Sequence, residues 1–246
     1  MNYRQLNAEK TVSTLQTLRN RISERFENSS LAGVAGELVE VAQESKKRTR
    51  WISRPHFGIR AAIVLVILIT LGLVVLGGNE LMKSTDEEFG VSETIQLVES
   101  ATNEIIFLGA ALLFLFSVET RIKRTRAIRV LHDLRAIAHV IDMHQLTKDP
   151  SQIVNSNASP TKSSPKRVLT PYQLTRYLDY CSEMLSLVGK LAALYAQSLH
   201  DPVVVGTVND IETLTNGISR KIWQKIVMLD DAARVIQKPS QPAENS

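Results

Sequence analysis

The chain has 246 residues, with 29 Lys and Arg against 25 Asp and Glu, which gives a formal net charge of +4. Its single cysteine excludes an intrachain disulfide framework and a cysteine-rich metal site, and its 11 Gly and 8 Pro exclude collagen-like and strongly low-complexity classes. The mean hydropathy of −0.03 resembles that of a soluble protein, but the apolar residues are concentrated in two runs, at 61–78 and 105–118. We therefore do not expect a simple soluble globule.

Residues 1–50 are predicted to form a cytoplasmic hairpin of two amphipathic helices. The turn Asn28-Ser29-Ser30 offers side-chain oxygens that can cap the second helix. Pro55 and Gly58 then interrupt a basic juxtamembrane segment at 51–60. The helical prediction rests on apolar residues spaced three and four apart, namely Leu15, Leu18, Ile22 and Phe26 in the first helix and Leu31, Val34, Leu38 and Val41 in the second.

The run at 61–78 is predicted to be the first transmembrane helix. It contains no charged residue, and twelve of its residues are Leu, Ile or Val, which favour insertion by about 4–7 kcal/mol. A length of about 18 residues lies within the range that spans a bilayer. The alternative is a buried core helix of a soluble protein.

The run at 105–118 is shorter and is predicted to be the second transmembrane helix. A run of this length also fits a core or re-entrant helix. Extending it toward Ile95 gives a spanning length but includes Glu99 and Glu104.

The charges beside the two runs predict their orientation. Lys and Arg dominate residues 46–60 and 119–129, whereas Asp and Glu dominate residues 79–104. Cytoplasmic flanks of membrane spans are rich in Lys and Arg. We therefore expect a protein integral to the plasma (inner) membrane, with both termini cytoplasmic and an acidic external loop at 79–104.

The second membrane helix is predicted to continue into the cytoplasm. No Gly or Pro occurs between Ala110 and Asp149, so we expect a helical extension at 119–149. A flexible linker rich in Ser, Asn, Lys and Pro follows at 150–169, and a disordered tail is expected at 238–246.

Residues 170–237 are predicted to form a C-terminal helical hairpin. Thr170-Pro171 and Asp201-Pro202 each place a capping residue before a proline, a typical helix start. Apolar residues on the first helix follow steps of four and three, a heptad seam of the coiled-coil type, and we expect exposed seams to favour a dimer. The seam of the first helix comprises Leu174, Leu178, Cys181, Leu185, Val188, Ala192, Tyr195 and Leu199, and a second apolar stripe on the same helix comprises Met184, Leu187, Leu191 and Leu194. The seam of the last helix comprises Val204, Val208, Ile211, Ile218, Ile222 and Leu229, with the less apolar Thr215 and Lys225 at two of its steps.

A polar stripe on the extension, His132, Arg135, His139 and Asp142, is one candidate functional site. Metal ligands on one helix are typically four residues apart, as in HExxH. His132 and His139 are seven apart, so a metal would need ligands from another helix, and we expect neither a metal nor a catalytic role. Because histidine gains charge between about pH 5 and pH 8, pH sensing is an alternative to a solvated or packed polar surface.

Glu99 and Glu104 form a second candidate site. Ionisable residues at membrane depth are candidates for function, and these two could surround the external mouth of a pore. The alternative is that both lie among the lipid headgroups at the edge of a short span.

The sequence gives little support for enzymatic activity, cofactor binding or nucleic-acid binding. The sequence has no phosphate-binding glycine loop, dinucleotide fingerprint, GxSxG or Cys–His nucleophile pattern, so we expect no cofactor and no enzymatic activity. Cys181 falls on the seam and is expected to be a packed residue. The basic clusters are explained by topology and by anionic lipid, so no nucleic-acid partner is expected.

The sequence therefore predicts an all-α integral membrane protein with two transmembrane helices and a cytoplasmic helical bundle. As function we expect a non-enzymatic membrane-anchored scaffold, sensor or signalling adaptor that acts through cytoplasmic helix–helix contacts. Its expected partners are the lipid bilayer, further copies of the chain and a cytoplasmic protein. The alternative function is an oligomeric ion-conducting or membrane-permeabilising assembly.

Overall fold

The computed structural model describes residues 4–52, 57–83, 91–150, 162–163 and 169–237. Within these ranges all regular structure is α-helical and no strand occurs, which confirms the all-α prediction. Most of the predicted linker and the predicted tail lie outside the described residues. The helices are α1 (Ala8–Arg25), α2 (Ser30–Ile52), α3 (Phe57–Lys83), α4 (Val91–Leu146), α5 (Pro171–Ser198) and α6 (Pro202–Gln237).

The chain divides into two compact units. The bundle unit comprises Met1–Ser53 and Arg126–Ser246, and the apolar unit comprises Arg54–Thr125. Helix α4 is continuous over its 56 residues and contributes to both. The helix that contains the second apolar run is therefore unbroken as far as Leu146.

Among the described residues, one helical stretch satisfies the length and composition criteria for a membrane span, and it begins in the apolar unit. Val98–Leu146 includes an 18-residue window of mean hydropathy 1.9, and none of that window is buried inside the protein. Ala61–Leu76 is a shorter apolar helix. Large side chains are exposed along both, such as Phe107 at 75% and Leu65 at 58%. One candidate span is thus present among the described residues, and the two-span topology remains a prediction.

Helix covers most of the expected loop at 79–104. Helix α3 extends to Lys83 and α4 begins at Val91, so the described residues of this loop are helical and both Glu99 and Glu104 lie within α4. The physical reason is that acidic residues do not end a helix, and residues 91–104 contain neither Gly nor Pro. The segment 84–90 lies outside the described residues.

The N-terminal hairpin of the bundle unit consists of α1 and α2, which pack against each other. Asn7 caps α1, because its Oδ1 accepts from the main-chain N–H groups of Glu9 at 2.9 Å and Lys10 at 3.1 Å. Asn28 adopts a left-handed φ of 55° in the turn, and Ser29 Oγ accepts from the Ala32 N–H at 3.2 Å. These local bonds satisfy donors at the start of each helix and stabilise the reversal of the chain.

Aromatic and cationic side chains attach this hairpin to α5. The ring of Phe26 lies edge-on to Tyr177 with centroids 5.5 Å apart. The Arg25 guanidinium donates to the hydroxyls of Tyr180 and Tyr172, each at 3.3 Å. Such edge-to-face pairs add about 0.5–1.5 kcal/mol to the burial of the rings.

Helix α4 contributes its C-terminal half to the core of the bundle. On this half every third or fourth residue is almost completely buried, at 0–1% exposure, as the helical period predicts. The buried residues are Ala127, Val130, Leu131, Leu134, Ala138 and Ile141.

Helix α5 begins with the predicted capping box and lies at the centre of the bundle. Thr170 Oγ1 accepts from the Gln173 N–H at 3.2 Å, and Gln173 Oε1 accepts from the Thr170 N–H at 2.9 Å. Helix α5 packs against α1, α2 and α6. Its seam from Leu174 to Tyr195 is consequently buried within one chain. The expectation that this seam is exposed is wrong, so it no longer supports a dimer.

Candidate functional site

The polar stripe lies on the outer face of α4. His132, Arg135 and His139 are exposed, and Asp142 is half-buried. In the part of the chain that the structure describes, no three His, Cys, Asp or Glu side chains lie close enough together to hold a metal ion. The stripe thus offers separate polar groups to solvent or to a partner.

At its C-terminal end the stripe joins a polar network that the sequence does not reveal. Asp142 Oδ1 accepts from Gln145 Nε2 at 2.6 Å, and Gln145 is 1% exposed. Lys225 of α6 donates from Nζ to Gln145 Oε1 at 2.7 Å and to the Gln145 main-chain oxygen at 2.8 Å. Burial lowers the pKa of Lys225, while Asp149 and Asp142 oppose that shift. The only sequence signal was a lysine interrupting the apolar seam of α6.

His144 is the histidine that the bundle perturbs. It is half-buried, and its Nδ1 lies 3.4 Å from Ser30 Oγ at the start of α2. Burial lowers the pKa of His144 below its ordinary value of 6.5, and the nearby charge of Lys148 lowers it further. The two histidines of the predicted polar stripe, His132 and His139, are exposed instead.

Glu99 and Glu104 are not brought into a cluster by the described chain. Both lie on α4 within the apolar unit, where Glu99 is exposed and Glu104 is partly exposed. A ring of these carboxylates would require further copies of the chain.

An apolar groove crosses α5 between the N-terminal end of α1 and the middle of α6. Its volume is about 940 Å³, a size typical of ligand and peptide sites. Among its lining residues Trp223 is 64% exposed, whereas Leu187 is buried. The groove is lined by Gln5, Leu6, Asn7, Lys10, Thr11, Thr14, Asp179, Ser182, Glu183, Ser186, Leu187, Lys190, Trp223 and Ile226.

One ion pair and one hydrogen bond from a lysine border this apolar groove. Glu183 accepts from Arg21 at 3.1 Å, and Lys190 donates to Ser186 Oγ at 2.6 Å. The groove therefore combines an apolar centre with a charged border, as protein-binding surfaces commonly do.

A second concave surface, which we call the basic pocket, lies between α2 and α4. It has a volume of about 530 Å³. The Arg126 guanidinium carbon lies 4.1 Å from the centroid of the Trp51 ring, a close cation–π contact. The basic pocket is lined by Lys47, Arg48, Trp51, Ile52, Arg126 and Arg129.

The one thiol is confined to the core. Cys181 is fully buried, and burial raises the pKa of its thiol to about 12. A thiol that is protonated and shielded reacts slowly, because the thiolate is the nucleophile. The position supports the prediction that Cys181 is a packed seam residue.

No protein-family model matches the chain, and no curated protein sequence or solved structure matches it.

Proposed function

We propose that this protein is a non-enzymatic, membrane-anchored scaffold, sensor or signalling adaptor whose cytoplasmic bundle acts through helix–helix contacts. The proposal includes two membrane spans, at 61–78 and 105–118, with both termini in the cytoplasm of a cell bounded by a plasma (inner) membrane.

The observation that carries the proposal is the continuity of α4. Its N-terminal half includes a spanning-length apolar window of which no part is buried. Its C-terminal half supplies fully buried core residues such as Leu134 and Ile141. Exposed apolar surface of this extent is costly in water, at about 25 cal/mol per Å². A bilayer would cover the first half, and the same helix would connect it to the bundle.

The groove supports the second half of the proposal, contact with a partner. Trp223 and Leu6 expose apolar surface beside charged groups. Exposed Trp residues are enriched among the residues that dominate protein–protein binding. We therefore expect the groove to receive an amphipathic helix of a cytoplasmic protein.

Cysteine labelling tests the membrane topology. A Ser84→Cys variant should react with an impermeant thiol reagent in intact cells, because the proposed loop is external. The control Ser13→Cys is exposed on α1 and should react only after the membrane is permeabilised. The wild type provides the background, because Cys181 is buried. Labelling of Ser84→Cys only after permeabilisation would contradict the two-span topology.

Crosslinking of the detergent-purified full chain tests the adaptor role. A Trp223→Asp variant should lose a defined set of crosslinked proteins. The control Met228→Asp lies on the same helix, is 45% exposed and does not line the groove, so it should retain them. Equal crosslinking by both variants would contradict the role assigned to the groove.

Ion flux distinguishes the adaptor from the pore-forming alternative. Purified protein in proteoliposomes should produce no flux above that of empty vesicles. Robust flux that disappears in Glu104→Ala would instead support an oligomeric pore with carboxylates at its mouth.

A further inference from the structure

We propose that the basic pocket binds the phosphate of an anionic phospholipid headgroup on the cytoplasmic side of the membrane. This inference rests on the proposed membrane anchoring and adds a specific lipid site to it.

The charge of the basic pocket favours an anion. Four of its six lining residues are cations and none is acidic. Arg48 already pairs with Glu44 at 2.8 Å. Lys47 and Arg129 are exposed and form no ion pair with any residue that the structure describes. Their charge is therefore available to a ligand, and two cations at one concave surface suit a phosphate.

The aromatic contact gives the basic pocket a defined geometry. Arg126 stacks on the Trp51 ring at 4.1 Å, which restricts the guanidinium while its edge N–H groups remain free to donate. Ile52, which is 2% exposed, adds an apolar wall beside them. Trp and Arg together are typical of the membrane interface, where one side is apolar and the other hydrated.

The position of the basic pocket in the sequence identifies the lipid as the source of that phosphate. Ile52 precedes the first apolar run by nine residues, and Arg126 follows Val118, the end of the second run, by eight. Both helical segments that form the basic pocket are therefore close in sequence to a proposed span. If the runs are inserted, these short connections keep the cations near the headgroups, where each basic residue attracts anionic lipid.

The two tryptophans of the chain allow a direct binding measurement. A Trp223→Phe variant of the full chain in mild neutral detergent leaves Trp51 as the only indole reporter. Short-chain phosphatidylglycerol is titrated against Trp51 fluorescence, and short-chain phosphatidylcholine, inorganic phosphate and a duplex oligonucleotide are titrated in parallel. We expect a saturable change with phosphatidylglycerol at concentrations about tenfold below those of the other three ligands.

Matched charge variants locate the site. Arg126→Gln combined with Arg129→Gln should weaken phosphatidylglycerol binding by about thirtyfold, since each basic residue contributes roughly fivefold. Arg220→Gln combined with Lys221→Gln removes the same charge from exposed positions on α6 and should leave binding unchanged. Arg126→Lys, which keeps the charge but loses the planar stack, should give an intermediate loss. This milder variant supplies the test if the double variant does not fold.

Several results would overturn the lipid site. Equal binding of inorganic phosphate and phosphatidylglycerol would identify a site for a soluble anion. Tighter binding of the oligonucleotide would identify a nucleic-acid site. Equal losses of phosphatidylglycerol binding in the two double variants would show that binding depends on the overall charge of the protein and not on the basic pocket. Carbonate extraction of wild-type membranes tests anchoring separately: release of the protein would refute the anchor, whereas retention without lipid selectivity would refute only the site.

Discussion

The ammonium group of Lys225 closes the C-terminal end of α4, with Nζ 2.8 Å from the main-chain oxygen of Gln145 and 2.7 Å from its Oε1. The last carbonyl groups of a helix have no partner within the helix and carry partial negative charge, so a cation there is favourable. This contact fixes α6 to the end of the helix that, in our proposal, leaves the membrane.

Replacing Lys225 should weaken the bundle. Lys225→Met keeps the aliphatic stem but removes the donor of Gln145 Oε1, whereas the main-chain oxygen of Gln145 still accepts from the Lys148 N–H at 3.0 Å. Leaving this buried side-chain oxygen unpaired should cost about 1–3 kcal/mol in the free energy of unfolding. Lys221→Met, at an exposed position on the same helix, is the control and should change it little. Chemical denaturation of the detergent-solubilised protein, followed by circular dichroism, measures both, and equal stability of the two variants would refute the capping role.

His144 should make the bundle less stable in mild acid. Its pKa is lowered in the folded state by burial and by Lys148, so the unfolded chain takes up the proton first. The free energy of unfolding should therefore fall as the pH drops from about 7 toward about 5, and this loss is absent above the unfolded pKa.

A His144→Gln variant should show a smaller decrease over that pH range. Met143→Gln, a neighbouring change at a residue that is 66% exposed and does not titrate, should follow the wild type. Denaturation midpoints at both pH values provide the measurement. A wild-type decrease that persists undiminished in His144→Gln would assign the pH dependence to other groups.

The C-terminal half of α4 should behave as core and not as a free stalk. Leu134 is completely buried, so Leu134→Ala should lower the free energy of unfolding by about 2–5 kcal/mol. Val140→Ala, on the same helix but 43% exposed, should cost much less. If denaturant titration gives the same small loss for both, this half of α4 does not belong to the bundle.

The cap at the start of α6 should contribute measurably to stability. Asp201 Oδ1 accepts from the N–H groups of Val203 at 3.0 Å and Val204 at 3.2 Å. Asp201→Ala should therefore cost about 0.5–2 kcal/mol, whereas Asp201→Asn retains an oxygen acceptor and most of the stability. A thermal unfolding series of the three proteins tests this, and identical losses in the two variants would show that the charge of Asp201 matters more than its capping bonds.

The features that sequence analysis predicted correctly are local. The helix starts at Thr170 and Asp201, the turn near Asn28 and the buried stripe of α5 each depend on residues within one or two turns of each other. Within the expected loop at 79–104, residues 79–83 and 91–104 are helical, because charged residues continue a helix readily.

The sequence by itself determined the all-α class, the apolar runs and the polar and apolar face of each helix, because periodicity and capping act over a few residues. Only the tertiary structure decided which faces meet. It buried the α5 seam inside one chain, joined Gln145 to Lys225 across 80 positions, and stacked Arg126 on Trp51. Hydrophobic burial is not directional, so a period indicates that a face must be covered but not which helix will cover it. The groove and the basic pocket arise from those pairings, and for that reason no local pattern revealed them.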